Sequence, residues 1–263
     1  MKATYHNVSL PLTRLHYLHC GQGEPLIMVP ATISEINSWL PLAQFMGQRF
    51  SAYFFELPGH GQSTPFKQGF SSDLVAQSVE HWLNKLKINR FNLMGFSFGG
   101  ILATKIMERV ENRINKVILL APCLSHKAVQ LSKLRQIVLK IVAGLISLKP
   151  AQTPLIKLIH NPSTAALAVQ VINKLGKVEI TGRRKKDLKK RLLQLPVTTL
   201  DVLTKEISEI LTCQFPAKTF TPSCFLGMSV NDPLINFQVT ENILKRSFEE
   251  LTVKKFYWHY HQP

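Results

Sequence analysis

Gly95-Phe96-Ser97-Phe98-Gly99-Gly100 is the run in this 263-residue chain whose residue types and spacing best suit chemistry. It lies between an apolar stretch, Phe91-Asn92-Leu93-Met94, and a helix-like stretch beginning Ile101-Leu102-Ala103-Thr104. A G-x-S-x-G between a buried strand and a helix turns the chain so sharply that its neighbours must be small, and the serine is pushed into a strained, exposed position. The helix that follows aims its free N–H groups at the serine, where they can hold an oxyanion. Packing alone offers a plainer account, in which the glycines let strand and helix approach closely and Ser97 is an ordinary helix N-cap.

A serine hydroxyl is a poor nucleophile at neutral pH and needs a base to take its proton. Histidine suits that task because it titrates near neutrality, and a carboxylate then holds its tautomer and stabilises the imidazolium. Asp232 follows the apolar run Ser223-Cys224-Phe225-Leu226-Gly227, so its carboxylate is expected at the edge where that strand ends. Asn231-Asp232-Pro233 is also strong turn sequence, which would account for the aspartate without catalysis. Glu56 and Asp201 are weaker candidates for the acid. Two histidines near the C-terminus, His259 and His261, are candidates for the base. His259 directly follows Trp258 and could equally be a half-buried strand residue.

The elements that must position these groups alternate. Strand patterns lie around residues 5–10, 14–20, 26–29, 52–55, 91–94 and 117–120, with helical stretches around Trp39, over residues 72–86 and after Ser97. Continuous apolar runs such as Leu26-Ile27-Met28-Val29 suit strands buried on both faces of a parallel sheet. The alternation predicts an α/β fold with a doubly wound, mostly parallel sheet. Ligands bind such sheets beyond the carboxyl ends of the strands. Ser97, the loop after Val29 and the loop after Leu120 all fall at that edge; so does His60, which reads as a turn residue.

From residue 126 to 214 the strand signal stops and several helices are expected, with breaks at Lys149-Pro150, Asn161-Pro162, Gly176, Gly182 and Pro196. Strand pattern returns at residues 223–227 and 253–258. Three segments follow: a core over 1–125, a helical cap over 126–214 inserted above the active edge, and the rest of the core over 215–263. Charge marks the same division. The chain carries a formal net charge of +16, and residues 126–214 hold 16 Lys/Arg against 5 Asp/Glu, leaving 16 against 11 elsewhere. In the cap, Leu188, Leu192 and Leu195 recur at helical spacing beneath a basic run from Arg183 to Arg191.

A hydrophobic fraction of 45% excludes a disordered chain. The longest apolar stretch, residues 137–148, is broken by Lys140 and too short to span a bilayer. No secretory signal pattern opens the chain. Cys20, Cys123, Cys213 and Cys224 show neither metal-ligand spacing nor a disulfide framework. Free thiols in a reducing compartment are expected, hence the cytoplasm, with no metal and no organic cofactor.

Together these features resemble the α/β-hydrolase superfamily over essentially the whole chain. The strand Leu26-Ile27-Met28-Val29 is followed by a loop and Ser38-Trp39. Glu56-Leu57-Pro58-Gly59-His60-Gly61-Gln62-Ser63 is similar to the D-x-P-G-x-G-x-S signature of capped esterases. The serine elbow comes third, and Gly227-Met228-Ser229-Val230-Asn231-Asp232 with a terminal histidine completes the order Ser, Asp, His that this fold uses. The resemblance implies Ser97 as nucleophile and Asp232 as the orienting acid. It favours His261 as base, because His261-Gln262-Pro263 matches the H-x-P of relatives, with His259 the alternative. The backbone N–H groups of Thr32 and Phe98 would form the oxyanion hole. The chain departs from the family's pattern in two places. Pro30-Ala31 stand where relatives carry His-Gly, and no final helix follows the histidine.

The expected activity is hydrolysis of a carboxylic ester or thioester with an apolar acyl part. A short-peptide aminopeptidase, a lyase and a non-catalytic binding protein on the same scaffold are the alternatives. Residues 188–196 resemble the end of the cap in pimeloyl-carrier-protein methyl ester esterases, which implies an acidic acyl carrier protein as partner. The basic run reads most simply as a solvated cap surface, and a further reading is docking on an anionic membrane surface, helped by the apolar helix around residues 134–148. Nucleic acid is not expected, since no aromatic platform accompanies the charge.

Overall fold

The computed structural model describes residues 2–32, 34–176 and 182–261; within these, the side chains of 172–176 and of Arg183 and Arg184 are not described. The eight strands are β1 (Thr4–Ser9), β2 (Arg14–Cys20), β3 (Pro25–Val29), β4 (Ser51–Phe55), β5 (Phe91–Phe96), β6 (Ile114–Leu120), β7 (Ser223–Ser229) and β8 (Leu251–Phe256). They form one sheet in the order β1-β2-β4-β3-β5-β6-β7-β8. β2 pairs antiparallel with β1 on one side and with β4 on the other, and the rest run parallel. The expected alternation is therefore present, with an antiparallel edge.

Helices cover both faces: α1 (Ile36–Met46), α2 (Ser72–Lys85) and α3 (Gly99–Val110). α2 is held by a Ser71 N-cap whose side chain accepts from the Leu74 N–H, and it buries Val75, Val79, Trp82 and Leu83. Trp82 is fully buried with the rings of Tyr17 and Phe55 edge-on at 4.9 and 5.4 Å. Each large side chain buried in this layer contributes about 1.5–3 kcal/mol of apolar transfer. On the opposite face, Leu18, Leu26, Met28, Phe54 and Met94 pack around Ile36 and Ala43 of α1.

Between β6 and β7 the chain leaves the sheet for an inserted helical region. It comprises α4 (Lys133–Ile146), α5 (Lys149–Ile159), α6 (Pro162–Gly176), α7 (Gly182–Leu193) and α8 (Val197–Ile210). The breaks expected at Lys149-Pro150, Asn161-Pro162, Gly176, Gly182 and Pro196 all fall at helix boundaries. The stripe through Leu188, Leu192 and Leu195 is shorter than its spacing suggests, since α7 stops at Leu193. The residue before a proline is driven out of the helical region, and Leu195 precedes Pro196. No helix is read from the sequence between Asp232 and the last strand, yet α9 (Phe237–Ser247) is there. Its signal was the Asn236 N-cap, which accepts from the Val239 N–H at 3.0 Å. β8 starts two residues earlier than its pattern suggests, because Leu251 pairs with Cys224. Trp258 lies beyond the ladder, stacked between Phe256 and Tyr260.

Among the described residues no helix is long and apolar enough to cross a membrane. The four cysteines are free, with Cys123 and Cys213 sulfurs 3.9 Å apart.

Candidate active site

Ser97 sits between β5 and α3 with φ +52°, a left-handed conformation that a side chain other than glycine rarely takes. The turn is held from three sides. The Ser97 N–H donates to the Leu120 carbonyl at 3.1 Å, and the Ser97 carbonyl accepts from the Gly100 and Cys123 N–H groups. A side chain on Gly95 would lie 2.5 Å from the Gly99 carbonyl oxygen, and one on Gly99 would lie 2.7 Å from that of Val29. The glycines do pack strand and helix closely, as the plainer account has it, but Ser97 is not the helix N-cap of that account: Phe98 holds that position and Ser97 is the residue with positive φ.

The same close approach presses the start of α3 against Pro30, whose carbonyl oxygen stands 2.8 Å from the Gly99 Cβ position. The β3–α1 loop carrying Thr32 therefore lies beside the elbow. Phe98 is the N-cap of α3, and its N–H belongs to the first-turn amides that have no partner within a helix.

Asp232 follows β7 and is buried. Its Oδ1 accepts from the N–H groups of Leu234 and Ile235 at 2.8 and 3.0 Å, which is the turn expected of Asn-Asp-Pro. Its Oδ2 lies 2.7 Å from His261 Nδ1. One carboxylate oxygen makes the turn and the other faces the histidine. Gln130, from the segment entering the helical insertion, donates its Nε2 to the Asp232 carbonyl at 2.5 Å and steadies the turn from the other side.

His261 Nε2 is 2.7 Å from Ser97 Oγ, so the ring spans serine and aspartate with both nitrogens occupied. The ring is mostly buried, with Phe96 5.6 Å away, centroid to centroid. The segment bearing it is held by the end of β7: Ser229 Oγ donates to the Trp258 carbonyl at 2.5 Å, and Asn231 Nδ2 donates to the Tyr257 carbonyl at 3.0 Å. Sequence reasoning passed over both tethers, which no local pattern marks. His259 is exposed and makes no hydrogen bond to another described residue. Gln262 and Pro263 of the H-x-P motif lie outside the described residues.

The two weaker acids are elsewhere. Glu56 accepts from the Ile36 N–H at 3.1 Å and the Gln62 N–H at 2.6 Å, tying the loop after β4 to the start of α1. Asp201 on α8 accepts from Gln152 Nε2 of α5 at 2.8 Å, within the helical insertion. Several contacts join insertion and core. Thr199 Oγ1 donates to the Gly59 carbonyl at 2.9 Å, the Ser72 N–H donates to Glu209 at 2.9 Å, and Arg191 donates to Ser38 Oγ at 2.7 Å.

His60 lies at that joint rather than at Ser97. Its Nε2 is 3.7 Å from Glu206 Oε1 of α8, both residues are buried, and the separation is too long for a hydrogen bond. Burial lowers His60 to about 4, and burial with the nearby Glu209 raises Glu206 well above the carboxylate range. Both groups are held toward their neutral forms, so the contact is not an ion pair in the range where most enzymes work. A raised folded-state pKa gives stability that is complete below the unfolded value and lost as pH climbs through the folded one. Glu206→Gln removes that loss while keeping the shape. Its melting temperature relative to wild type should rise from pH 5 to pH 8 in thermal melts, and a difference independent of pH would refute a protonated Glu206.

A cavity of about 250 Å³, lined by Ser72, Asp73, Thr104, Lys105, Glu209 and Cys213 among others, lies under the α8 end of the insertion, and none of Ser97, Asp232 and His261 lines it. Among the described residues no group of three or more His, Cys, Asp or Glu side chains is placed to hold a metal ion.

An eight-stranded, mostly parallel sheet with flanking helices and an inserted helical region defines the α/β-hydrolase fold. Residues 24–149 match the alpha/beta hydrolase fold family. That match covers a little under half of the chain, and for the chain as a whole the α/β-hydrolase fold is what is shown. It is 25% identical over 109 residues to an (E)-2-((N-methylformamido)methylene)succinate hydrolase of Acinetobacter baylyi, 40% of each chain. It is 26% identical over 119 residues to the pimeloyl-[acyl-carrier protein] methyl ester esterase of Nitrosomonas europaea, 44% of this chain and 45% of that one. The match thus spans less than half the length of these relatives. The solved structure of the N-formylmaleamic acid deformylase of Pseudomonas putida S16 superposes with a TM-score of 0.66 at 15% identity, over 96% of this chain and 92% of that one.

Proposed function

We propose that this protein is a serine hydrolase that cleaves a carboxylic ester or thioester through an acyl-enzyme. The observation that carries the reading is the continuous relay from Ser97 Oγ to His261 Nε2 and from His261 Nδ1 to Asp232 Oδ2, each step 2.7 Å. His261 takes the Ser97 proton as Oγ attacks the substrate carbonyl, and Asp232 holds the proton on Nδ1 and stabilises the imidazolium. The N–H groups of Phe98 and Thr32 hold the oxyanion. Collapse of the tetrahedral intermediate passes the His261 proton to the departing alcohol or thiol. Water then attacks the acyl-enzyme with His261 again as base, which releases the acid and restores Ser97.

An apolar acyl part fits the surroundings, because the Phe96 ring lies beside both His261 and Trp39, the latter at 5.7 Å. The domain boundaries read from sequence serve this proposal: the core over 1–125 and 215–263 supplies the reacting groups, and the helices over 126–214 form the cap that selects the substrate. The esterase among the relatives is named for a carrier-held methyl ester, and two other relatives are named as an N-formylmaleamate deformylase and a succinate hydrolase.

Labelling with a fluorophosphonate probe tests the reading. Wild type and His259→Ala should label, and Ser97→Ala and His261→Ala should not. A folded wild-type protein that fails to label would overturn the proposal and leave a non-catalytic binding protein on this scaffold.

A further inference from the structure

α4 is turned inside out. An amphipathic helix on a globular protein normally directs its apolar stripe at the core. Here Leu134, Ile137, Val138, Ile141, Val142 and Leu145 recur at three- and four-residue spacing, and all of them are exposed, Leu134 at 71%, Ile141 at 58% and Leu145 at 58%. At 3.6 residues per turn these positions share an arc of roughly 140°. The opposite side of the helix is the one that packs inward, through buried Ala143 and through Ser147, whose hydroxyl donates to Thr204 Oγ1 of α8 at 3.3 Å. Half-buried Leu139 and Ile146 share that inward side, while the six exposed aliphatics face out.

An exposed apolar strip of this size on a soluble domain marks an interaction surface. The charges around it identify the occupant. On the same 3.6-residue count, Lys133, Lys140 and Arg135 lie at the two margins of the arc and are exposed. Residues 126–178 contain eight Lys/Arg and no Asp or Glu. We propose that α4 docks this protein on anionic lipid bilayers, its aliphatic stripe entering the headgroup–acyl boundary and the marginal cations meeting the lipid phosphates.

A helix lying in the interface plane combines these two features, an apolar face and flanking Lys or Arg. The competing occupants fit less well. A second copy would bring two strongly cationic insertions together against their mutual repulsion. An acidic carrier protein would answer the cations and leave a stripe roughly 16 Å long unpaired. The surface also complements the proposed substrate, since a lipid phase is where apolar acyl esters concentrate.

Co-sedimentation of the full chain with lipid vesicles tests this. Phosphatidylcholine vesicles containing about 30% phosphatidylglycerol should pellet the protein, and pure phosphatidylcholine should bind it at least about tenfold more weakly. Ile141→Ser with Leu145→Ser changes exposed side chains and should weaken binding to the anionic vesicles by about tenfold or more. Lys133→Gln with Lys140→Gln should also weaken it and flatten its salt dependence. Circular dichroism melts check that each variant folds. Ser97→Ala should bind as wild type does, so the docking surface and the hydrolase reading stand or fall separately. Failure of wild type to pellet with anionic vesicles overturns the proposal. So does vesicle binding unaffected by the Ile141/Leu145 substitutions, or a dimer or carrier-protein complex that occupies the stripe in place of lipid.

Discussion

Ser97→Ala is expected to lower kcat/KM on an ester substrate by on the order of 10⁵- to 10⁶-fold, with the melting temperature unchanged within a few degrees. The asymmetry follows from the contacts. The hydroxyl makes one hydrogen bond, to His261, and the turn is held by backbone bonds and by the glycines packed against it. Losing one partly exposed hydrogen bond costs about 0.5–1.5 kcal/mol of stability. On the proposed mechanism, losing Ser97 removes the covalent route altogether and leaves only the residual effect of the oxyanion-hole donors and substrate binding. The measurement is kcat/KM alongside a thermal melt, once a panel of short- and medium-chain esters has supplied a substrate. A loss below about tenfold would exclude Ser97 as nucleophile.

Asp232→Asn is expected to cost about 10⁴-fold in kcat/KM, and its cause differs from a loss of fold. Asn keeps an oxygen able to accept from the Leu234 and Ile235 N–H groups, so the turn survives. What changes is the atom facing His261 Nδ1, now an amide that donates. The imidazole must then accept at Nδ1 and carry its proton on Nε2, pointing at Ser97 Oγ where a base is required. Asp232→Ala should lose both functions, with a visibly lower melting temperature as well as activity. If the Asn variant kept more than a tenth of wild-type kcat/KM, the orienting role would be wrong. The pair separates chemistry from folding at a residue that serves both.

Fold was largely legible because its signals are local. A continuous apolar run, a Ser or Asn before a helix, and Pro or Gly at a break act within a few residues, and the strands and the helix breaks follow from them. The exceptions are informative. α9 lacks an apolar stripe because its buried face is itself mostly polar, Thr240, Glu241 and Ser247 beside Phe237 and Leu244. The start of β8 depends on pairing with β7, which is not a local property.

The Ser97, Asp232 and His261 types could be named from sequence, but their meeting could not be derived from it. Ser97 and His261 are 164 residues apart. Their strands, β5 and β8, have two others between them, a separation of roughly 14 Å. The segment after β8 must cross back over that distance, and Ser229 and Asn231 hold it there by bonds to its backbone. His259 and His261 lie in this irregular segment, where no helical or strand period assigns a face to either. Likewise, the spacing of α4 makes it amphipathic, but nothing in the spacing tells which side meets the protein. By itself, then, the sequence determined which elements form and which side chains could react, because propensity and periodicity are short-range. Only the tertiary structure decided which histidine faces the serine and that the aliphatic side of α4 faces out. Both depend on packing between segments that are distant in the chain.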